Sequence, residues 1–238
     1  IIDKLSQVSP MEKGEAINFS PLTRDHTIHL DNVNFSYPAD TSDFKLGPVS
    51  YKFETSHIYF ITGENGSGKT SLIKLLLGLV EPMNGNIILD NACVTSSRKY
   101  TQLFSAVTDN SYLSKHIPYF LDSSKNDTLN NMLSSLGLEH KVSISDNHFS
   151  TINLSKGQLK RLALVVSRSL DRPFFVFDEW AANQDKTFRE WFYQSYIQTL
   201  KEEGKLVCVV THDDRYFHLA DSILHLENGS LSTNSRGS

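Results

Sequence analysis

Eight consecutive residues, Gly63-Glu64-Asn65-Gly66-Ser67-Gly68-Lys69-Thr70, bring three kinds of chemistry into one short run. The glycines let backbone N–H groups turn inward and cradle anionic oxygens. Lys69 adds a mobile positive charge, and the Thr70 hydroxyl can ligate Mg²⁺. A polyphosphate is the ligand that needs this combination. Ser71 opens the run Ser71 to Leu79, which has the pattern of a helix, and a helix N-terminus adds its partial positive charge to the phosphate site. His57 to Thr62 is a strand-like run entering the loop. The competing reading is an ordinary glycine turn ahead of a helix.

Further along, Phe174-Phe-Val-Phe-Asp178-Glu179 is an apolar strand that ends in two carboxylates. Asp178 at such a tip could hold Mg²⁺ through its water shell, and Glu179 could polarise an attacking water as general base. Read alone, the run is a strand ending in a charged turn. Leu154-Ser155-Lys156-Gly157-Gln158 precedes a strong helical pattern. Ser155 and Gln158 fit a capping box. The hydroxyl, the glycine backbone and the helix N-terminus also fit a second anion site aimed at a γ-phosphate. His212, in Thr211-His212-Asp213-Asp214, follows the apolar run Leu206 to Val210. It is placed either to reach a terminal phosphate or to serve the structure alone. Tyr37, upstream of the loop, offers an aromatic face for adenine, a contact worth ~1–3 kcal/mol in other base–aromatic stacks. The alternative is a tyrosine packing at a strand end.

The elements that must hold these residues alternate along the chain. Residues 1–24 mix polar and apolar positions around Pro10, Gly14 and Pro21 and have the character of a linker. From Thr27, the positions Ile28, Leu30, Val33 and Phe35 suggest a strand, ended by Tyr37-Pro38. A strand pair is expected between Val49 and Ile61. Pro82 and the Asn84-Gly85 turn lead into the strand-like Asn86 to Asp90. Residues 111–153 are rich in Ser, Asn and Lys, with short helical patches such as Leu129 to Leu136, and are expected to form a small helical insertion. Helix is predicted for Ser155 to Leu170 and Lys186 to Glu203, and strand for Phe174 to Phe177 and Leu206 to Val210. A closing hairpin is predicted for Ile223 to Leu231 around Asn228-Gly229. Strands alternating with helices imply an α/β core with a mainly parallel sheet.

Bulk properties narrow the classes. The chain's 238 residues suffice for one large domain or two small ones, and its 39% hydrophobic and 21% charged content is that of a soluble globular protein. A net charge of −4 gives no general pull toward nucleic acid. Cys93 and Cys208 are unclustered, which points to a reducing compartment and no metal site; the histidines lack metal-ligand spacing. No apolar run approaches the ~20 residues that span a bilayer, and no signal-peptide pattern opens the chain. Because the first residue is Ile1 rather than Met, the chain is expected to be a piece of a longer protein. Its closing Arg236-Gly237-Ser238 has the character of an appended tail.

Taken in order, Tyr37, Gly63 to Thr70, Leu154 to Gln158, Phe174 to Glu179 and His212 resemble the nucleotide-binding domain of ABC transporters, whose signature is Leu-Ser-x-Gly-Gln. The resemblance covers residues 25–231. Phe177-Asp-Glu-Trp-Ala-Ala-Asn-Gln-Asp185, Thr211-His-Asp-Asp-Arg-Tyr-Phe-His-Leu-Ala-Asp221 and Leu103-Phe-Ser-Ala-Val107 look like the branch that exports cyclic peptides, lasso peptides and siderophore precursors. The resemblance implies a phosphate-loop NTPase core with an antiparallel β subdomain and a small helical subdomain over residues 111–158. Residues 1–24 would then link to a six-helix membrane domain on the same chain, and residues 232–238 would form a tail. It implies ATP as ligand, bound by Tyr37, by Gly63 through Thr70 and by Ser71. Mg²⁺ would be held by Thr70, Asp109 and Asp178, and the catalytic residues would be Lys69, Glu179 and His212. Leu154, Ser155, Lys156, Gly157 and Gln158 would act on the partner's ATP in a head-to-tail homodimer, at the cytoplasmic face of the inner membrane.

The sequence departs from the family pattern at three places. Asp109 stands where a glutamine is usual, Lys156 where the signature usually has a small residue, and Ala182-Asn183-Gln184-Asp185 where the family commonly ends in Ser-Ala-Leu-Asp. Two rival functions remain at this level. One is a soluble ABC ATPase acting on DNA or ribosomes, which usually carries coiled-coil insertions or tandem domains that this sequence does not display. The other is a non-hydrolysing regulatory module, against which Glu179 and His212 argue.

Overall fold

The computed structural model describes residues 26–38, 44–95, 97–108, 126–145 and 148–235. The expected linker over residues 1–24, Asp109, the first part of the expected helical insertion and the last three residues lie outside these. The chain runs through β1 (Thr27–Ser36), β2 (Lys45–Glu54), β3 (Ile58–Thr62), α1 (Lys69–Leu76), β4 (Asn84–Leu89), β5 (Ala92–Cys93), α2 (Arg98–Thr101) and β6 (Phe104–Val107). It continues with α3 (Asn126–Ser135), the short pair β7 (Ile144–Ser145) and β8 (His148–Phe149), α4 (Lys156–Ser169) and β9 (Phe174–Asp178). Then follow α5 (Lys186–Trp191), a π-helical turn Phe192–Tyr196, α6 (Ile197–Glu202), β10 (Leu206–Val210), β11 (Ser222–Glu227) and β12 (Ser230–Ser235).

A six-stranded sheet of order β12-β11-β3-β10-β9-β6 forms the centre. All of its pairings are parallel except that of β11 with β12. Strands β3 and β10 are buried along their whole length, and β9 is buried up to Asp178. The cause is that helices or a second sheet cover both faces, so an unbroken apolar run rather than an alternating one is what such a strand needs. Successive residues still part to opposite faces. Ile58, Phe60, Phe175, Phe177, Val207 and Val209 enter one core with α3, α4 and the helical run from α5 to α6. Tyr59, Ile61, Phe174, Val176, Cys208 and Val210 enter the other, with α1 and a four-stranded antiparallel sheet of order β2-β1-β4-β5.

Local sequence explains several details. In β1 the apolar positions step by two, then three, then two, which breaks strict alternation. The strand absorbs the extra residue as an irregularity between Leu30 and Val33, with Asn32 at φ 52, and all four apolar side chains reach the core. The predicted strand pair between Val49 and Ile61 is corrected: β2 and β3 are consecutive, but they part into different sheets. The helix predicted over Ser71 to Leu79 instead spans Lys69–Leu76, starting on the loop's own lysine. The run Lys186 to Glu203 is helical but not uniformly α, because the π turn at Phe192–Tyr196 interrupts it. The closing hairpin turns where expected, on Asn228 (φ 47) and Gly229 (φ 79), the two positive-φ positions of a type I′ turn.

Candidate functional site

Strand β3 delivers the chain at Thr62 into the glycine-rich loop, and α1 takes it away at Lys69. Gly63 lies at φ 137, and a Cβ there would meet the Leu226 carbonyl oxygen at 2.2 Å and Ser67 Oγ at 2.7 Å, so only glycine lets the loop close against β11. Lys69 is 7% exposed, and its Nζ donates to the carbonyl oxygens of Gly63 at 2.7 Å and Glu64 at 2.9 Å. The ammonium is thereby fixed inside the arch of the loop. The N-cap of α1 is Gly68, which has no side chain to occupy the first N–H groups of the helix.

The two acids and the histidine meet through strand register. Strands β9 and β10 pair in parallel, with Asp178 opposite Val210. The residues just beyond the two strand ends, Glu179 and His212, are therefore neighbours, with His212 Nε2 3.4 Å from Glu179 Oε1. Glu179 sits in the left-handed region at φ 50, ψ 35, and its N–H donates to the Val210 carbonyl at 3.2 Å. A cleft of ≈ 460 Å³ joins Asp178 and Glu179 to Asn65, Gly66, Gly68, Lys69, Thr70 and Ser71 of the loop, with Tyr37 and Phe44 at its edge. A second hollow, ≈ 250 Å³, is also lined by Glu179 and includes His212, Arg189 and Asp213.

Tyr37 is oriented by α1. Its hydroxyl lies 3.3 Å from Ser71 Oγ and accepts from Lys74 Nζ at 3.2 Å, while its ring meets Phe35 edge-on at a centroid distance of 4.9 Å. Burial raises the phenol's pKa, but the hydrogen bonds from Ser71 and Lys74 and the nearby Lys74 charge outweigh it and leave the pKa below the usual value. Phe44 is a second aromatic edge of the cleft that sequence reading did not single out; its position ahead of β2, with residues 38–43 between it and Tyr37, gave no local signal.

The capping-box reading of Ser155 and Gln158 holds. The Ser155 N–H donates to Gln158 Oε1 at 3.0 Å and the Gln158 N–H to Ser155 Oγ at 3.3 Å. Ser155 and Lys156 are exposed, and Leu154 to Gln158 do not border the cleft that holds their own chain's phosphate loop. Asp109, two residues past β6, lies outside the described residues.

The hairpin turn behind the loop is a second feature that sequence reading missed. The Gly229 N–H donates to the Ser67 carbonyl at 3.0 Å, and the Gly47 N–H donates to the Gly229 carbonyl at 2.9 Å. The turn thus joins the phosphate loop to the antiparallel sheet. The Asn-Gly pair announced a hairpin but carried no sign of what the hairpin would touch.

These residues fit a Mg-nucleotide. Ser67 Oγ is buried within the loop without a hydrogen-bond partner among the described residues, leaving a donor for an anionic oxygen. Thr70 and Asp178 offer the oxygen donors a hard cation takes. No group of three or more His, Cys, Asp or Glu suited to a metal occurs among the described residues. A Mg²⁺ carried by substrate phosphates needs only one or two protein oxygens.

Residues 46–182 match the family described as ABC transporter. ATP-binding protein SyrD of Pseudomonas syringae pv. syringae is 41% identical over 212 residues, which cover 86% of this chain and 38% of that protein. Energy-coupling factor transporter ATP-binding protein EcfA1 of Thermotoga maritima is 32% identical over 216 residues, 86% of this chain and 80% of that protein. Among solved structures, a bacterial Atm1-family ABC exporter with ATP bound shares the fold at TM-score 0.73 and 19% identity, over 98% of this chain and 43% of that one. The structure of cbiO1 from Clostridium perfringens, part of the ABC transporter complex cbiONQ, does so at TM-score 0.70 and 22% identity, over 89% of each chain. The chain therefore spans less than half the length of SyrD and of the exporter.

Proposed function

The chain belongs to the ABC transporter family, and on that premise we propose that it binds Mg-ATP and hydrolyses it to drive a membrane transporter. The observation that carries this reading is one cleft bordered by Lys69 and Thr70 on one side and by Asp178 and Glu179 on the other, with His212 against Glu179. Loop N–H groups, Ser67 Oγ and the start of α1 take the phosphate oxygens, and Lys69 takes the β/γ end. Tyr37 stacks on the base. Thr70 and Asp178 would hold Mg²⁺, which when bound neutralises charge on the β- and γ-oxygens. Glu179 accepts the proton of the attacking water. His212 fixes the Glu179 carboxylate and contacts the γ-phosphate. Asp109 is assigned as a further metal contact on the strength of its place in the sequence.

The signature segment, which does not border its own cleft and exposes Ser155 and Lys156, acts on a second copy. Two chains arranged head to tail would close on two ATP molecules, each held by the phosphate loop of one and by Ser155 and Gly157 of the other, and hydrolysis would reopen them. The force passes to membrane helices joined through residues 1–24; no helix among the described residues is long and apolar enough to cross a membrane. The branch-like motifs around Asp178 and His212 support export of a peptide-like substrate of the cyclic-peptide or siderophore type, from the cytoplasmic face of the membrane.

Glu179→Gln tests the chemistry. The amide keeps the shape and removes the base, so ATP affinity should stay within about twofold while turnover falls roughly 10²–10⁴-fold. Steady-state hydrolysis by the variant at the rate of the unaltered protein refutes the assignment.

A further inference from the structure

We propose that Lys160 is a positioning residue for ATP hydrolysis, holding Glu179 in the backbone pose that aims its carboxylate into the cleft. The inference rests on the role assigned to Glu179 above. Lys160 stands on α4, one turn beyond the capping box at Ser155. It is 8% exposed, so its charge lies in the interior, where a lysine needs a strong polar partner. Its Nζ donates to the Glu179 carbonyl oxygen at 3.1 Å. The contact is returned, since Trp180 Nε1 donates to the Lys160 carbonyl at 2.8 Å, and Trp180 is fully buried, stacked on Phe192 at a centroid distance of 4.5 Å.

The position of these bonds gives Lys160 its function. Glu179 is a non-glycine residue in the left-handed region, a conformation that persists only where the surroundings over-determine it. The Glu179 N–H is held by the Val210 carbonyl of β10, and its C=O by Lys160 from α4. The residue is gripped on both sides of its Cα, by two elements that flank the turn after β9. The grip on the carbonyl is the charge-assisted one, stronger than the weak 3.3 Å turn bond that Ala182 N–H makes to the same oxygen. Without the ammonium, the peptide after Glu179 can rotate toward ordinary φ values, and the carboxylate swings away from His212. Because α4 begins at the segment proposed to face the partner's ATP, the same lysine also ties the pose of Glu179 to that helix.

Lys160→Met, of similar length and without a donor, should lower kcat for ATP about 10–100-fold with KM and ATP affinity within about twofold. Lys160→Gln, which keeps a neutral donor, should recover most of the rate. In the Glu179→Gln background Lys160→Met should cost nothing further, since it acts only through that carboxylate. If Lys160→Met does not fold, Lys160→Gln carries the test: a loss of a few-fold in kcat at constant KM that disappears in the Glu179→Gln background. The proposal is overturned if the Lys160 variant turns over normally while Glu179→Gln does not. It is also overturned if kcat, ATP affinity and thermal midpoint fall together, which is a structural role, or if the loss persists undiminished beside Glu179→Gln. Normal turnover by Glu179→Gln itself would instead reject the general-base reading.

Discussion

Gly229→Ala should weaken both the fold and nucleotide binding, although the residue touches no substrate. At φ 79 an alanine pays for a left-handed backbone, roughly 1–2 kcal/mol. Its Cβ would lie 1.9 Å from the Lys45 carbonyl oxygen and 3.0 Å from the Lys45 carbonyl carbon. The neighbour is backbone in β2, not the end of a flexible side chain, so the turn must retreat by roughly 1.5 Å to reach ordinary contact. That movement stretches the bonds Gly229 N–H to Ser67 O (3.0 Å) and Gly47 N–H to Gly229 O (2.9 Å) past useful length. Two such bonds contribute about 0.5–1.5 kcal/mol each. The total is on the order of 2–5 kcal/mol, or a fall of roughly 4–20 °C in the unfolding midpoint of a chain this size. Because Ser67 belongs to the phosphate loop, ATP affinity should drop as well, while Asn228→Ala, which makes no such contact, should change ATP affinity by less than about twofold. Thermal unfolding followed by circular dichroism and ATP titration by calorimetry read the two effects. An unfolding midpoint within about 1 °C of the unaltered protein together with unchanged ATP affinity would refute the idea that the hairpin turn braces the loop.

Two further outcomes bear on assembly and metal. Ser155→Arg should abolish the ATP-dependent dimer that Glu179→Gln accumulates with Mg-ATP, while leaving ATP binding by the monomer intact; sedimentation giving the same monomer fraction with and without ATP in the Glu179→Gln chain would reject the head-to-tail arrangement. Asp109→Gln should bind metal-free ATP more tightly yet need more Mg²⁺ for half-maximal turnover, since like charges at ~4 Å repel by about 4 kcal/mol at an effective dielectric near 20. Unchanged ATP affinity in EDTA and an unchanged Mg²⁺ titration would mean that Asp109 touches neither metal nor phosphate.

By itself the sequence determined whatever depends on neighbours in the chain. The phosphate loop was legible because its glycines, lysine and threonine act on one ligand from contiguous positions. Ser155 and Gln158 were legible because a capping box closes across three residues, and Asn228-Gly229 because a type I′ turn demands positive φ at both. The apolar runs of β3, β9 and β10 were legible as strands of a mainly parallel sheet. Tertiary structure alone decided what those pieces would meet. The sequence offered β2 and β3 as a pair, but adjacency in the chain does not set which strands exchange hydrogen bonds, and the two joined different sheets. The meeting of Glu179 with His212 hangs on the register of β9 against β10, the support of Ser67 by Gly229 on where the last hairpin lies, and the grip of Lys160 on Glu179 on how α4 packs against β6 and the turn after β9. Each of these joins residues distant in the chain, and their mutual positions follow from how side chains on both faces of the central sheet fill two cores, a property of the whole packed assembly that no local spacing encodes.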